Sequence, residues 1–278
     1  EETEGIVSAF NVSVAAQGSG RLGYTILVHL KNALLSGSYD YVEIRVAPSD
    51  KQIETVEMGG SIWMAFNARS RDLEDQVYPL DGTTVEEMYR NGWVSSIGGL
   101  FQYGRKYMYT PWQGYNPSNN LGNQTADIPW QNDTHMPCPE GYRVPTRSEL
   151  NSLLPKNQEI PGTYIAGNGE KITATLHVGE GTLTTPTSVT GTQHYVKFTS
   201  EDTGRYLIIP LAGGKGDKST TNNPSFGKRA VLWTSERNGC PGGYAWTYWL
   251  PFEGKETTAI AERQLQMEAF ASLRCVKK

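Results

Sequence analysis

Several things are scarce in this chain of 278 residues, and each scarcity removes a class of function. No apolar run reaches the ~18 to 20 residues that a bilayer-spanning helix requires, so no transmembrane helix is expected. Positive charge is in deficit: 25 Lys and Arg against 29 Asp and Glu leave a net charge of -4 without a basic cluster. The electrostatic pull that nucleic acid or anionic lipid binding relies on is therefore missing. Cysteine occurs three times, too sparsely for a metal-spaced cluster or a disulfide scaffold. An odd number allows at most one intramolecular bridge and leaves at least one thiol over. The four histidines, His29, His135, His177 and His194, are scattered. His135 and Cys138 have ligand-like spacing, but two ligands do not make a zinc site. No metal and no cofactor are expected.

Catalytic patterns are equally thin. Glu140 and the pair Glu201 and Asp202 are isolated acids, whereas acid-base catalysis needs two carboxylates at a defined gap. No Gly-x-Ser-x-Gly elbow surrounds Ser148 or Ser235. The glycine-rich stretches at 168–170 and 213–216 lack the spacing of a phosphate loop. The chain is not expected to be an enzyme.

What is plentiful is glycine (30), tyrosine (15) and tryptophan (7). Many turns and many amphipathic rings point to short strands, long loops and a surface able to make contacts. A hydrophobic share of 37% with 19% charged residues is ordinary for a folded globule, which argues against disorder. The first residues, EETEG, are acidic and unlike a signal peptide, so a leader is expected to have preceded them and been removed.

The organising stretch is 137–154, PCPEGYRVPTRSELNSLL. Thr146 with Glu149 three residues on forms a capping box that starts a helix. Leu150, Leu153 and Leu154 then share one side, and Pro155 ends the run. Cys138 sits between two prolines, where a stiff chain favours a crosslink. Before this stretch, alternation predicts strands over 5–17, 22–32 and 39–47, with Val42, Ile44 and Val46 inward. A boundary is expected at Pro48, Ser49 and Asp50, which divides a β-rich arm over 1–50 from a main domain over 51–278. A strand and turn follow over 53–70, then a short helix capped by Thr84 and Glu87, a strand over 98–112 and a polar loop over 116–134. Beyond the central helix, weak alternation marks 172–178 and 195–198, and 205–211 reads as a strand. A glycine-rich loop over 212–227 leads to three closing strands at 230–235, 244–252 and 268–276, read as an antiparallel meander. Two helices against many strands make an α+β fold.

The closing strands carry the binding candidates. Trp233, Tyr244, Trp246, Tyr248 and Trp249 lie on two neighbouring strands, with the polar loop 236–243, including Arg237 and Asn238, between them. Period-two alternation puts Tyr244, Trp246 and Tyr248 on one side and Ala245, Thr247 and Trp249 on the other, so they are not all core. Burial is the simpler reading for any single ring; those left at the surface would stack on a sugar or anchor a protein. Asn222 and Asn223 in the glycine-rich loop would form the adjoining rim.

Taken together, GSIWMAFN (60–67), CPEGYRVPTRSEL (138–150), YLIIPLAGG (206–214), VLWTSE (231–236), YAWTYWLPF (244–252) and LRCVKK (273–278) resemble the FISUMP domain of surface proteins in Bacteroidota and Fibrobacter. The likeness runs over residues 53 to 278. It implies a C-type-lectin-like fold, a place at the cell surface or anchored to the outer membrane as a lipoprotein, and ligand binding through the late sheet. It also implies a disulfide between Cys138 and Cys275, with Cys240 unpaired. The residues alone leave two buried free thiols as the alternative. In some proteins of this kind a fimbrillin-like sandwich comes first, and the arm over 1–47 is compatible with the end of one. The calcium tripeptides of sugar-binding C-type lectins are absent, and the Trp130 to Asp133 segment carries an extra glutamine where a Trp-Asn-Asp strand would be. The expected partner is thus a glycan or protein outside the cell. The alternatives are a fimbria-like structural or tip subunit whose arm pairs with a neighbouring pilin-like subunit, and a sulfatase-modifying type of enzyme using Cys240 and Cys275.

Overall fold

The computed structural model describes residues 24–31, 39–46, 52–73, 76–78, 83–90, 97–106, 108–109, 130, 135–178, 194–214, 227–238, 243–251 and 258–278. The first described elements, β1 (Tyr24–Lys31) and β2 (Tyr39–Val46), pair antiparallel with Tyr24 opposite Val46. Both fall where alternation predicts them. The strand expected over 5–17, the boundary at Pro48 to Asp50, Asn222, Asn223 and Cys240 lie outside the described residues.

Next come β3 (Thr55–Met58) and β4 (Ser61–Met64), a hairpin turning at Gly59 and Gly60. Both glycines have positive φ, a region that side chains with a Cβ rarely enter. A Cβ on Gly59 would also meet the Leu153 backbone at 3.0 Å, so the turn rests directly on the central helix. The first helix, α1 (Val85–Arg90), opens on the expected capping box: the Thr84 amide donates to Glu87 and the Glu87 amide to the Thr84 hydroxyl. The strand expected over 98–112 is instead a hairpin of β5 (Leu100–Gln102) and β6 (Met108–Tyr109), because Gly104 turns the chain with positive φ.

After β7 (Tyr142–Arg143), the central helix α2 (Arg147–Leu153) carries the complete Thr146 and Glu149 capping box. Leu150, Leu153 and Leu154 are fully buried. Two strands escaped the sequence reading here, β8 (Glu159–Ile160) and β9 (Gly162–Ile165). With β10 (Lys171–His177), β11 (Tyr195–Ser200) and β12 (Tyr206–Pro210), β9 completes a four-stranded antiparallel sheet ordered β12-β11-β10-β9.

The remaining strands are β13 (Arg229–Arg237), β14 (Tyr244–Pro251), β15 (Thr258–Ala259), β16 (Ala261–Gln266), β17 (Phe270–Ser272) and β18 (Val276–Lys277). The six-stranded sheet runs β16-β14-β13-β17-β5-β6. The closing meander therefore needs correcting. Its third antiparallel strand is β16, while 268–276 divides into β17, parallel to β13, and β18, which joins β4 and β7 in another sheet. Between them Leu273, Arg274 and Cys275 are buried, and the Arg274 guanidinium donates to the carbonyls of Met64 and Ile208 and to the Tyr89 hydroxyl. Those bonds carry the chain from one sheet into the next. Cys275 is disulfide-bonded to Cys138, 137 residues earlier.

The described architecture is β-rich, with two short helices and several antiparallel sheets. One apolar cluster fills the space between α2, the four-stranded sheet and one face of the six-stranded sheet, with Leu153, Phe198, Leu232 and Tyr248 among its members. A second covers the opposite face of the six-stranded sheet with Phe101, Tyr103, Trp130, Trp233 and the disulfide.

A candidate binding face on the six-stranded sheet

The register decides which rings are free. Val231 faces Trp249, Trp233 faces Thr247, and Thr247 in turn faces Arg263. Side chains opposite one another share a face, so Val231, Trp233, Thr247, Trp249 and Arg263 lie on one side. Leu232, Tyr248, Trp246, Glu262 and Gln264 lie on the other.

Two of the predicted ligand residues are core, which corrects the expectation for them. Trp233 is fully buried, donating its indole N–H to the Phe101 carbonyl at 2.8 Å and packing edge-on against Tyr103 and Trp130. Burial raises the Tyr103 phenol above its usual range, and its hydroxyl donates to the Ser235 carbonyl. Tyr248 is equally buried under α2. Its hydroxyl sits 3.1 Å from Glu262 and 3.3 Å from the Arg147 carbonyl.

Beyond the end of α2 the same face opens. Trp246 is half-buried, and the Arg147 guanidinium lies over its ring, 3.9 Å from the centroid. The guanidinium is itself fixed by a two-pronged pair with Glu262, Nη2 to Oε2 measuring 2.8 Å. The Arg147 amide donates to Glu236 at 3.0 Å, an acid at a helix start, where it is favoured. The Thr146 cap therefore sets the position of Arg147, and Arg147 that of Trp246. Hydrogen bonds from Arg147 hold the Glu262 carboxyl below the usual range, against a smaller opposing effect of burial. Tyr244, also half-buried, accepts from Gln266 at 3.4 Å. Asn238 donates its amide to the Tyr244 carbonyl, and its buried side-chain Nδ2 has no hydrogen-bond partner among the described residues. Gln264 is exposed beside them.

Of the predicted residues, then, Asn238, Tyr244 and Trp246 come together on one ledge, whereas Arg237, opposite Ala245, lies on the reverse face near Tyr103. Trp249 is on the reverse face, where its indole N–H donates to Thr247 at 2.8 Å and the guanidiniums of Arg229 and Arg263 lie 5.2 and 5.1 Å from its ring. Sequence reasoning missed Arg147, Glu262, Gln264, Gln266, Arg229 and Arg263. A signal existed for the first: an arginine in the first turn of a helix opposes the macrodipole and calls for a specific acidic partner.

Elsewhere, Glu201 pairs with Lys171 and accepts from Thr173. Among the described residues no three His, Cys, Asp or Glu side chains gather as metal ligands would, and no helix is long and apolar enough to cross a membrane.

Residues 56–277 match the family described as the Fibrobacter succinogenes major domain. The chain belongs to that family. The matched span takes in every described strand from β4 to β18, both helices and the disulfide. Membership of the Fibrobacter succinogenes major domain family points to a surface-associated protein. No curated protein and no solved structure matches the chain.

Proposed function

We propose that this domain is a non-catalytic recognition module at the cell surface, C-type-lectin-like in fold, and that it holds an extracellular glycan or protein on the ledge of Asn238, Tyr244 and Trp246. One observation carries the reading: the half-buried Trp246 ring is held rigid by Arg147, which Glu262 locks in turn. A fixed aromatic platform binds at low entropic cost. A pyranose presents an apolar C–H face that stacks on an indole, and the amides of Asn238, Gln264 and Gln266 beside it suit its hydroxyls. Attachment to the outer membrane as a lipoprotein belongs to the same reading.

The test is a glycan array followed by calorimetry on the full chain. Trp246→Ala should weaken binding by at least about tenfold, the loss of a buried anchor, with an unchanged melting temperature. Binding at wild-type strength in Trp246→Ala refutes the assignment.

A further inference from the structure

The outer edge of β16 is built to pair and lacks a partner. Along 261–266 every residue of β16 faces one of β14 without a bulge, and the Met267 amide continues that ladder to the Gly243 carbonyl. In an antiparallel pair only alternate residues bond inward, so Ala261, Arg263, Leu265 and Met267 bond toward β14. The backbone amides and carbonyls of Glu262 and Gln264 therefore point away from the sheet, and among the described residues nothing bonds to them.

The same edge is already in use just before that stretch. The Ile260 amide donates to the Gln158 carbonyl and its carbonyl accepts from the Asn157 amide, both at 2.8 Å, while β15 pairs antiparallel with β8. Asn157, with positive φ, then turns the chain away, so a strand occupies the edge up to Ile260 and the edge is open beyond it. The edge of the four-stranded sheet is different, because Arg274 takes the Ile208 carbonyl of β12.

The open stretch is also electropositive. Arg263 and Lys156 are exposed and make no ion pair among the described residues. Glu262, near Lys156, is committed to Arg147 and Tyr248. Glu159, opposite Ala259, lies four residues along from Arg263, beyond the ~10 Å over which surface charges act. Half-buried Leu265 shares the face of Arg263 and offers it an apolar neighbour. An open strand edge is a template for one more strand, and side chains facing each other across the new pair decide which strand is accepted.

We propose that the edge of β16 from Glu262 to Gln266 takes an extended acidic segment of another polypeptide as an added antiparallel strand, with an apolar residue opposite Leu265 and an acid opposite Arg263. Backbone bonds to Glu262 and Gln264 hold the segment, and Arg263 and Lys156 select its charge. The site does not rest on the Trp246 reading.

Calorimetry of the full chain with a short peptide tests this, the peptide carrying a valine and, two positions later, a glutamate, both set among threonines. Saturable binding is expected, weakened by salt, with slowed hydrogen exchange at the Glu262 and Gln264 amides. Arg263→Glu should weaken binding about fivefold or more, and should bind instead the same peptide with lysine in place of glutamate. Gln264→Pro removes an outward N–H that the sheet itself does not use, a change an edge strand tolerates; it should abolish binding while the melting temperature holds. No saturable binding, equal binding of the lysine peptide by the unaltered protein, an Arg263→Glu protein that still prefers glutamate, binding that survives Gln264→Pro, no added protection at Glu262 and Gln264, or self-association of the chain through β16 would each overturn the proposal.

Discussion

Replacing both Cys138 and Cys275 by alanine should destabilise the domain by about 2–5 kcal/mol. The bond closes a loop spanning 137 residues, and the chain-entropy treatment assigns such a loop about 5 kcal/mol at room temperature. That figure is a ceiling, because residual contacts in the unfolded chain already restrict it. Both cysteines are buried beside Met64, Val144 and Leu273, so alanine is the correct replacement. Serine would bury two hydroxyls and add their desolvation to the measured loss. Cys240 stays in both proteins, and the comparison isolates the bridge. Urea unfolding followed by tryptophan fluorescence and far-ultraviolet circular dichroism gives the free energy. The slope against urea should rise as well, because an unfolded chain without the crosslink exposes more surface. A destabilisation under about 1 kcal/mol, with the slope unchanged, would refute the view that this covalent tie holds the last strands in place.

Two further outcomes follow from the buried polar network. Arg274→Met strips the donor from the Met64 and Ile208 carbonyls and the Tyr89 hydroxyl, and should cost about 3 kcal/mol or more in thermal or urea unfolding; a loss below about 1 kcal/mol would contradict the role given to that side chain. Glu262 has a depressed pKa, so its contribution is complete above the unfolded-state value and disappears as pH falls through the lower folded value, in the range below about pH 4. The near-ultraviolet dichroism of Trp246 should change in that acid range, whereas Glu262→Gln should show the changed signal already at neutral pH. Identical acid titrations of the two proteins would dismiss the Arg147 lock.

The sequence marks this fold wherever a local rule determines the outcome. Thr146 with Glu149 and Thr84 with Glu87 announce two helix starts because capping needs only one turn of chain. The long alternation in β13 and β14 is visible for a similar reason. β16, with the sequence AERQLQ, is not: it is an edge strand with mixed residues on both faces, and its pairing with β14 is a tertiary fact. Residues 268–276 read as one strand, yet β17 and β18 belong to different sheets and nearly everything between them is buried, which erases any period of two. The candidate face is half legible. Alternation separates Trp246 from Trp249, but only the docking of α2 and of the Tyr103 and Trp130 rings determines that Tyr248 and Trp233 are covered. Arg147 lies about a hundred residues before the ring it steadies, a distance that local spacing does not bridge.

The position of β17 and β18 also governs when this domain can take shape. β17 separates β13 from β5, and β18 separates β4 from β7, so each of two sheets lacks an interior strand until residues 270–277 have been synthesised. Strands such as β4, made some two hundred residues earlier, must wait with their inner edges open. Closure of such distant pairings is slow, and until it happens the waiting edges are exposed to neighbouring chains. Masking of those strand edges until the last residues arrive would therefore matter more to this domain than to one whose sheets are built from consecutive hairpins.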